Sequence, residues 1–221
     1  MPAIPFHTSA LGGMPYPILQ SELEILQNRH LQRGMKAFRP LPLRRKPLRE
    51  ATEEFLAKMN NKRWLRKYVQ VSFDDTSSRI HQLLWNFGYC ISRNPDIIFR
   101  VFNDLDIMFF EGVLYHRVYL RWEEQSPSGD IAETKGPLPV VRPRIRMKLY
   151  WNSIRRKHTT LLTLLGHLIH EMLHAYLMIR TGGSDEEGGH REYHGPCFRR
   201  CAHAIARYFN GEISVMEDDE I

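Results

Sequence analysis

The chain contains few cysteines and no long uninterrupted hydrophobic run. Its three cysteines, Cys90, Cys197 and Cys201, are too few for a disulfide framework and form no paired CxxC elements of a zinc ribbon. A reducing intracellular compartment is therefore expected. Charged residues interrupt every apolar stretch before it reaches membrane-spanning length, and the N-terminus has neither a basic start nor a hydrophobic block. We expect neither a membrane span nor a secretory signal.

The composition is that of a globular protein with an excess of positive charge. Of the 221 residues, 43% are hydrophobic, which suffices for one sizeable core. The net charge of +6 would suit a polyanionic partner, although net charge by itself bears on solubility and nonspecific binding. Seven basic side chains lie between Arg33 and Arg49, where Pro40, Pro42 and Pro47 oppose a regular helix. This segment is predicted to be a linker or an arm.

The apolar patterns divide the chain into four parts. We predict a disordered, Pro-rich and basic N-terminal arm at residues 1–50, a helical extension at 51–93, a folded domain at 94–211 and an acidic tail at 212–221. Within the folded domain the period of the apolar residues changes from helical to strand-like and back. The predicted elements are a helix from Asn94 to about Phe110, strands at Leu114–Trp122 and Arg144–Tyr150 with a long loop between them, a helix at Thr160–Arg180, and a helix from Gly195 to about Asn210.

The helix at Thr160–Arg180 carries a pair of histidines four residues apart, His170 and His174. Four steps of about 100° bring the two side chains back to within about 40° of each other, so both imidazoles can reach one ion. Glu171 would lie beside such an ion but too far round the helix to ligate it easily. This is the position required of a base that takes a proton from an attacking water. With eleven histidines in the chain a chance match is the alternative, but ionisable groups on an apolar core helix are costly unless a metal or partner satisfies them.

A catalytic zinc site needs a third protein ligand and leaves one position open. The downstream candidates are His190, Glu192 and His194. His194 is preferred because it lies at the start of the last helix, where Pro196 fixes the first turn and Phe198 reaches the core. His190, in a glycine-flanked loop, is the runner-up, and Glu192 would be the ligand in a thermolysin-like site.

Taken together, these residues resemble the SprT-like metalloprotease family, which includes the Spartan proteases that digest proteins crosslinked to DNA. The match covers about Ile97 to Phe209 and is strongest in HEMLHAY at His170–Tyr176 and HGPCF at His194–Phe198. The segment FNDLDIMFFEGVL, the strand ending in Trp122 and RIRMKLY support it, in the order found in the family. The cysteine-rich zinc ribbon that often follows the protease domain is missing.

The resemblance implies an α+β, zincin-like metalloprotease domain at residues 94–211. A small antiparallel or mixed sheet would pack on helices that include the HExxH active-site helix. Zinc would be the cofactor, with His170, His174 and His194 as ligands and Glu171 as catalytic acid/base. The implied function is a zinc-dependent endopeptidase that acts in the nucleus on DNA-associated or DNA-crosslinked proteins. The strand at Arg144–Tyr150 is expected to offer an exposed edge to an extended substrate.

The resemblance also favours DNA as the partner of the basic residues. The candidate contacts are Arg44, Arg45, Lys46, Arg49, Arg63, Arg66 and Lys67. A solvated basic surface is the alternative interpretation. Two other functions remain open: a DNA- or chromatin-binding adaptor whose structural zinc is closed by a fourth ligand, and an intracellular zinc protease unrelated to DNA.

Overall fold

The computed structural model of the chain describes residues 44–61, 97–114, 117–136, 145–157, 159–183, 194–209, 211 and 213–216. The elements in these ranges are α1 (Leu48–Met59), α2 (Ile97–Phe110), β1 (Val118–Glu123), β2 (Ala132–Lys135), β3 (Ile145–Tyr150), α3 (Trp151–Arg156), α4 (Leu161–Thr181), α5 (Pro196–Ala206) and a 3₁₀ turn (Arg207–Phe209). The fold is α+β, as predicted.

The strands form a three-stranded mixed sheet in the order β1-β3-β2. β3 is parallel to β1 and antiparallel to β2, so it is paired on both sides. The predicted exposed edge at Arg144–Tyr150 is therefore wrong, because β1 and β2 occupy the edges. β2 lies within the predicted long loop. Its sequence, AETK, has a single apolar residue, and pairing with β3 rather than local pattern makes it a strand.

Helix α4 forms the centre of the core. Thr160 caps its first turn by accepting a hydrogen bond from the Thr163 N–H at 3.1 Å. It ends at Gly182, whose φ of 91° is left-handed and whose N–H reaches the Met178 carbonyl. By length and composition the stretch Leu162–Thr181 could cross a membrane, but 67% of its apolar window is buried inside the protein, as in a core helix.

Helix α1 packs against α4 and α5 and completes the core. Phe55 and Tyr176 lie with ring centroids 5.4 Å apart, and the Tyr208 hydroxyl donates to the Met59 carbonyl. The helix begins at Leu48 with Pro47 as its N-cap, so the predicted boundary at residue 50 falls within a helix. The φ of Pro47, −55°, is close to the helical value, which suits a residue that directly precedes a helix.

The C-terminal segment also enters the core. Ile213 and Val215 are only 1% and 2% exposed, although both fall in the predicted acidic tail at 212–221. Residues 1–43, 62–96 and 217–221, which include most of the predicted arm and extension and the last residues of the tail, lie outside the described residues.

Candidate metal centre

Three imidazoles converge on one point between α4 and the start of α5. The Nε2 atom of His174 lies 3.1 Å from Nε2 of His170 and 2.9 Å from Nε2 of His194. The three form a group whose ligand atoms all lie within 4.8 Å of one another. Around a tetrahedral zinc at about 2.0–2.1 Å, ligand nitrogens are separated by about 3.3 Å, close to these distances. The group could hold a metal ion.

The backbone of the C-terminal segment orients the first of these rings. Nδ1 of His170 lies 2.9 Å from the Val215 carbonyl oxygen, which leaves Nε2 to face His174 and His194. Burial, and then the neighbouring His174 and His194, hold the pKa of His170 well below its ordinary value. The ring is therefore neutral near pH 7, which is the form that binds a metal.

Phe198 closes one side of the imidazole group. Its ring centroid lies 5.0, 4.4 and 4.3 Å from those of His170, His174 and His194, and its side chain is fully buried. Helix α5 places it there, with Gly195 as N-cap and Pro196 in the first turn. The prediction that Phe198 would reach the core next to His194 is confirmed.

Glu171 follows His170 on α4 and is 6% exposed. Its backbone carbonyl accepts a hydrogen bond from Thr134 Oγ1 of β2 at 3.2 Å. The edge strand β2 is thereby linked to α4 at the predicted catalytic residue. Glu171 lies in the turn of α4 that joins His170 and His174.

The structure describes two of the cysteines but neither of the remaining candidate ligands. His190 and Glu192 lie outside the described residues. Cys197 and Cys201 are buried and not joined in a disulfide. Burial raises the pKa of Cys201 to about 12, so this sulfur remains a protonated thiol near neutral pH.

The basic candidates near α1 have different surroundings. Arg44, Arg45 and Arg49 are exposed. Nζ of Lys46 binds Glu50 at 2.7 Å and also binds Glu54, and these hydrogen bonds raise the pKa of the lysine. The charge of Lys46 is thus neutralised within the protein. Arg63, Arg66 and Lys67 lie outside the described residues.

Two residues at the contact between the C-terminal segment and α4 are absent from the sequence-based prediction. A Cβ on Gly166 would lie 2.1 Å from the Ser214 carbonyl oxygen, so only glycine admits the C-terminal segment at this point of α4. Val215 supplies the acceptor for His170. A signal for the first is present in the sequence, since an isolated glycine inside a long helical pattern often has a packing reason.

Comparison with known proteins finds no match for this chain. The chain matches no protein-family model, and no curated protein and no solved structure matched it either. The likeness to SprT-like proteases therefore depends on the motifs alone, and the arrangement of His170, His174, His194 and Glu171 is the ground for any function assigned to the chain.

Proposed function

We propose that the chain is a zinc-dependent endopeptidase of the SprT-like type. The observation that carries the proposal is the convergence of the Nε2 atoms of His170, His174 and His194 on a helix in which Glu171 follows His170. Three imidazoles suit zinc, and three protein ligands leave one position for water or substrate.

Each residue of the proposed site has a separate role in peptide hydrolysis. Bound zinc would supply a water of lowered pKa and a Lewis acid for the scissile carbonyl. Glu171 takes up the proton of the attacking water and gives it to the leaving amine. The buried Phe198 ring excludes solvent from one side of the imidazoles, and the Val215 carbonyl holds His170 in place.

An extended substrate would pair with the edge strand β2. Among the described residues β2 pairs with β3 alone, which leaves its other edge for a further strand. The bond from Thr134 to the Glu171 carbonyl keeps β2 beside the proposed base. Pairing through the backbone would give affinity with little side-chain selectivity.

DNA-associated proteins in the nucleus are the proposed substrates. The resemblance and the exposed guanidinium groups of Arg44, Arg45 and Arg49 support this assignment. An adaptor with a structural zinc would need a fourth ligand, for which His190 or Glu192 would have to close the site. The protease and the adaptor differ in their dependence on Glu171.

A cleavage assay with the full chain tests the proposal. The zinc-loaded parent and Glu171→Gln are incubated with a DNA-binding protein, with and without single-stranded DNA, after metal analysis has matched their zinc content. Glu171→Gln should keep its zinc and lose cleavage by at least about 10²-fold, because the ligands remain and the proton acceptor is gone. Glu124→Gln, on the exposed segment after β1, is the matched control and should cleave like the parent.

Two outcomes would argue against the proposal. A zinc-loaded parent that cleaves nothing, with or without DNA, would favour the adaptor. Cleavage by Glu171→Gln at the parent's rate would remove Glu171 from the mechanism.

A further inference from the structure

We propose that residues 213–216 are a functional part of the metal centre, in which the Val215 carbonyl fixes the tautomer and orientation of His170 and Gly166 is the positioning residue that admits this carbonyl. The inference rests on the proposed metal site. It assigns a role in ligand positioning to a segment whose composition suggested an acidic tail.

The hydrogen bond at His170 determines which ring nitrogen faces the metal. A carbonyl oxygen has no proton to give, so at 2.9 Å from Val215 the Nδ1 atom must carry the hydrogen and donate it. The lone pair then lies on Nε2, which is the atom that faces His174 and His194. Outer partners of this kind fix ligand orientation and raise ligand basicity.

Gly166 lies one helical turn before His170 on α4. The Ser214 carbonyl crosses the helix there, 2.1 Å from where a Cβ would stand, so any side chain would push the segment away. Because Ser214 and Val215 are adjacent, displacement of the first carbonyl also moves the second from His170. The orientation of the proposed ligand His170 therefore depends on the absence of a side chain at position 166.

The segment is held from its other side by burial. Ile213 and Val215 are almost fully buried, and Ser214 Oγ donates to the Met216 carbonyl at 2.8 Å. A cavity of about 280 Å³, lined by Gly166, His170 and Ser214 among others, lies beside the crossing. A methyl group at position 166 would therefore have to displace this buried segment away from α4.

Zinc affinity of the full chain tests the coupling. Gly166→Ala should bind zinc about 10- to 100-fold more weakly than the parent, the range expected when an outer partner of a histidine ligand is lost. Gly136→Ala is the same substitution at a glycine where an added Cβ meets no atom within 4 Å, and it should bind like the parent. In the metal-free protein, nitrogen NMR of the His170 ring should show hydrogen on Nδ1 in the parent and a mixture of tautomers in Gly166→Ala.

A second variant leaves the packing unchanged. Replacement of the Val215–Met216 peptide bond by an ester, by semisynthesis, weakens the Val215 carbonyl as an acceptor without adding volume. It should lower zinc affinity several-fold and loosen the tautomer preference. An ester at the Glu217–Asp218 bond, outside residues 213–216, is the matched control and should change neither.

The outcomes separate this inference from the proposed function. A parent that binds no zinc would overturn the proposed function itself. A parent that binds zinc, with unchanged affinity and an unchanged His170 tautomer in Gly166→Ala and in the Val215–Met216 ester, would overturn the role of the segment alone.

Discussion

Thr134 on β2 donates a hydrogen bond from Oγ1 to the carbonyl oxygen of Glu171 on α4, 3.2 Å away and 37 positions later in the chain. A side-chain donor at this point joins the edge strand β2 to α4 at the proposed base. The position of β2 relative to Glu171 thus depends on one hydroxyl group as well as on packing.

Thr134→Val replaces this hydroxyl with a methyl group of similar size. We expect the free energy of unfolding of the metal-free protein to fall by about 1 kcal/mol, the usual net contribution of one hydrogen bond. Catalytic efficiency should also fall, while zinc content is retained. Denaturant unfolding and cleavage kinetics measure both effects, and Thr134→Ser, which keeps the hydroxyl, is the control. Parent-like stability of the valine variant would show that the bond is not formed in solution.

His194→Ala should lower zinc affinity by more than the roughly 10- to 100-fold typical of outer partners, because a ligand itself is removed. His203→Ala, at an exposed position of the same helix, should leave affinity unchanged. His190→Ala should also resemble the parent. Metal analysis after dialysis ranks the variants, and a larger drop in affinity in His190→Ala than in His194→Ala would move the third ligand into the preceding loop.

The salt dependence of DNA affinity should differ between variants of Arg44 or Arg49 and variants of Lys46. This follows if the exposed arginines bind phosphates. Each phosphate that the protein no longer neutralises reduces the slope of log affinity against log salt by about 1. Arg44→Gln and Arg49→Gln should each show this smaller slope. Lys46→Gln should not, because its ammonium group is already bound to Glu50 and Glu54. An equal change in all three variants would mean that Lys46 leaves its carboxylate partners to bind DNA.

Lys58 makes stability depend on alkaline pH. Burial lowers its pKa from 10.5 to about 8, against the attraction of Glu111 at 3.6 Å and of Asp106, and Arg180 lowers it further. The ammonium group also lies 5.5 Å from the Tyr176 ring centroid. Between about pH 8 and 10.5 the unfolded chain binds more protons, so the free energy of unfolding should rise with pH across this window.

Lys58→Met removes the titrating group. Relative to this variant, the parent should gain stability from about pH 8 upwards in denaturant unfolding, while the exposed Lys157→Met should follow the parent. A parent and a Lys58→Met variant with parallel stability profiles from pH 7 to 10 would show that Lys58 titrates in the fold as it does in water.

The sequence predicts α4 and α5 well because their ends carry strong local signals. Thr160, Gly182 and Pro196 are capping or first-turn residues at the positions where the helices start or stop. The predicted site follows from one helical spacing and from a histidine beside Pro196. The structure brings those three imidazoles together, whereas the metal they hold and the reaction they serve stay predictions.

Features set by distant contacts cannot be predicted in the same way. β2 is a strand because Ala132–Lys135 finds a partner in β3, not because its residues favour strands. Val215 belongs to a segment with only two buried apolar residues, too short for a periodic signal. The predicted boundary at residue 50 falls within α1 because this helix is placed by its packing against α5, at the other end of the chain.

The packing of α1 has a consequence for the order of folding. Met59 and Tyr208 are joined across 149 positions, and Glu53 and Arg200 across 147. Contacts of such long sequence separation slow folding, because the loop must close before the contact stabilises it. We expect α4 and α5 to come together before α1 is added. Until then the side of Tyr176 that Phe55 later covers remains open to solvent, so the intermediate that is most prone to aggregate is one whose imidazole group is already assembled.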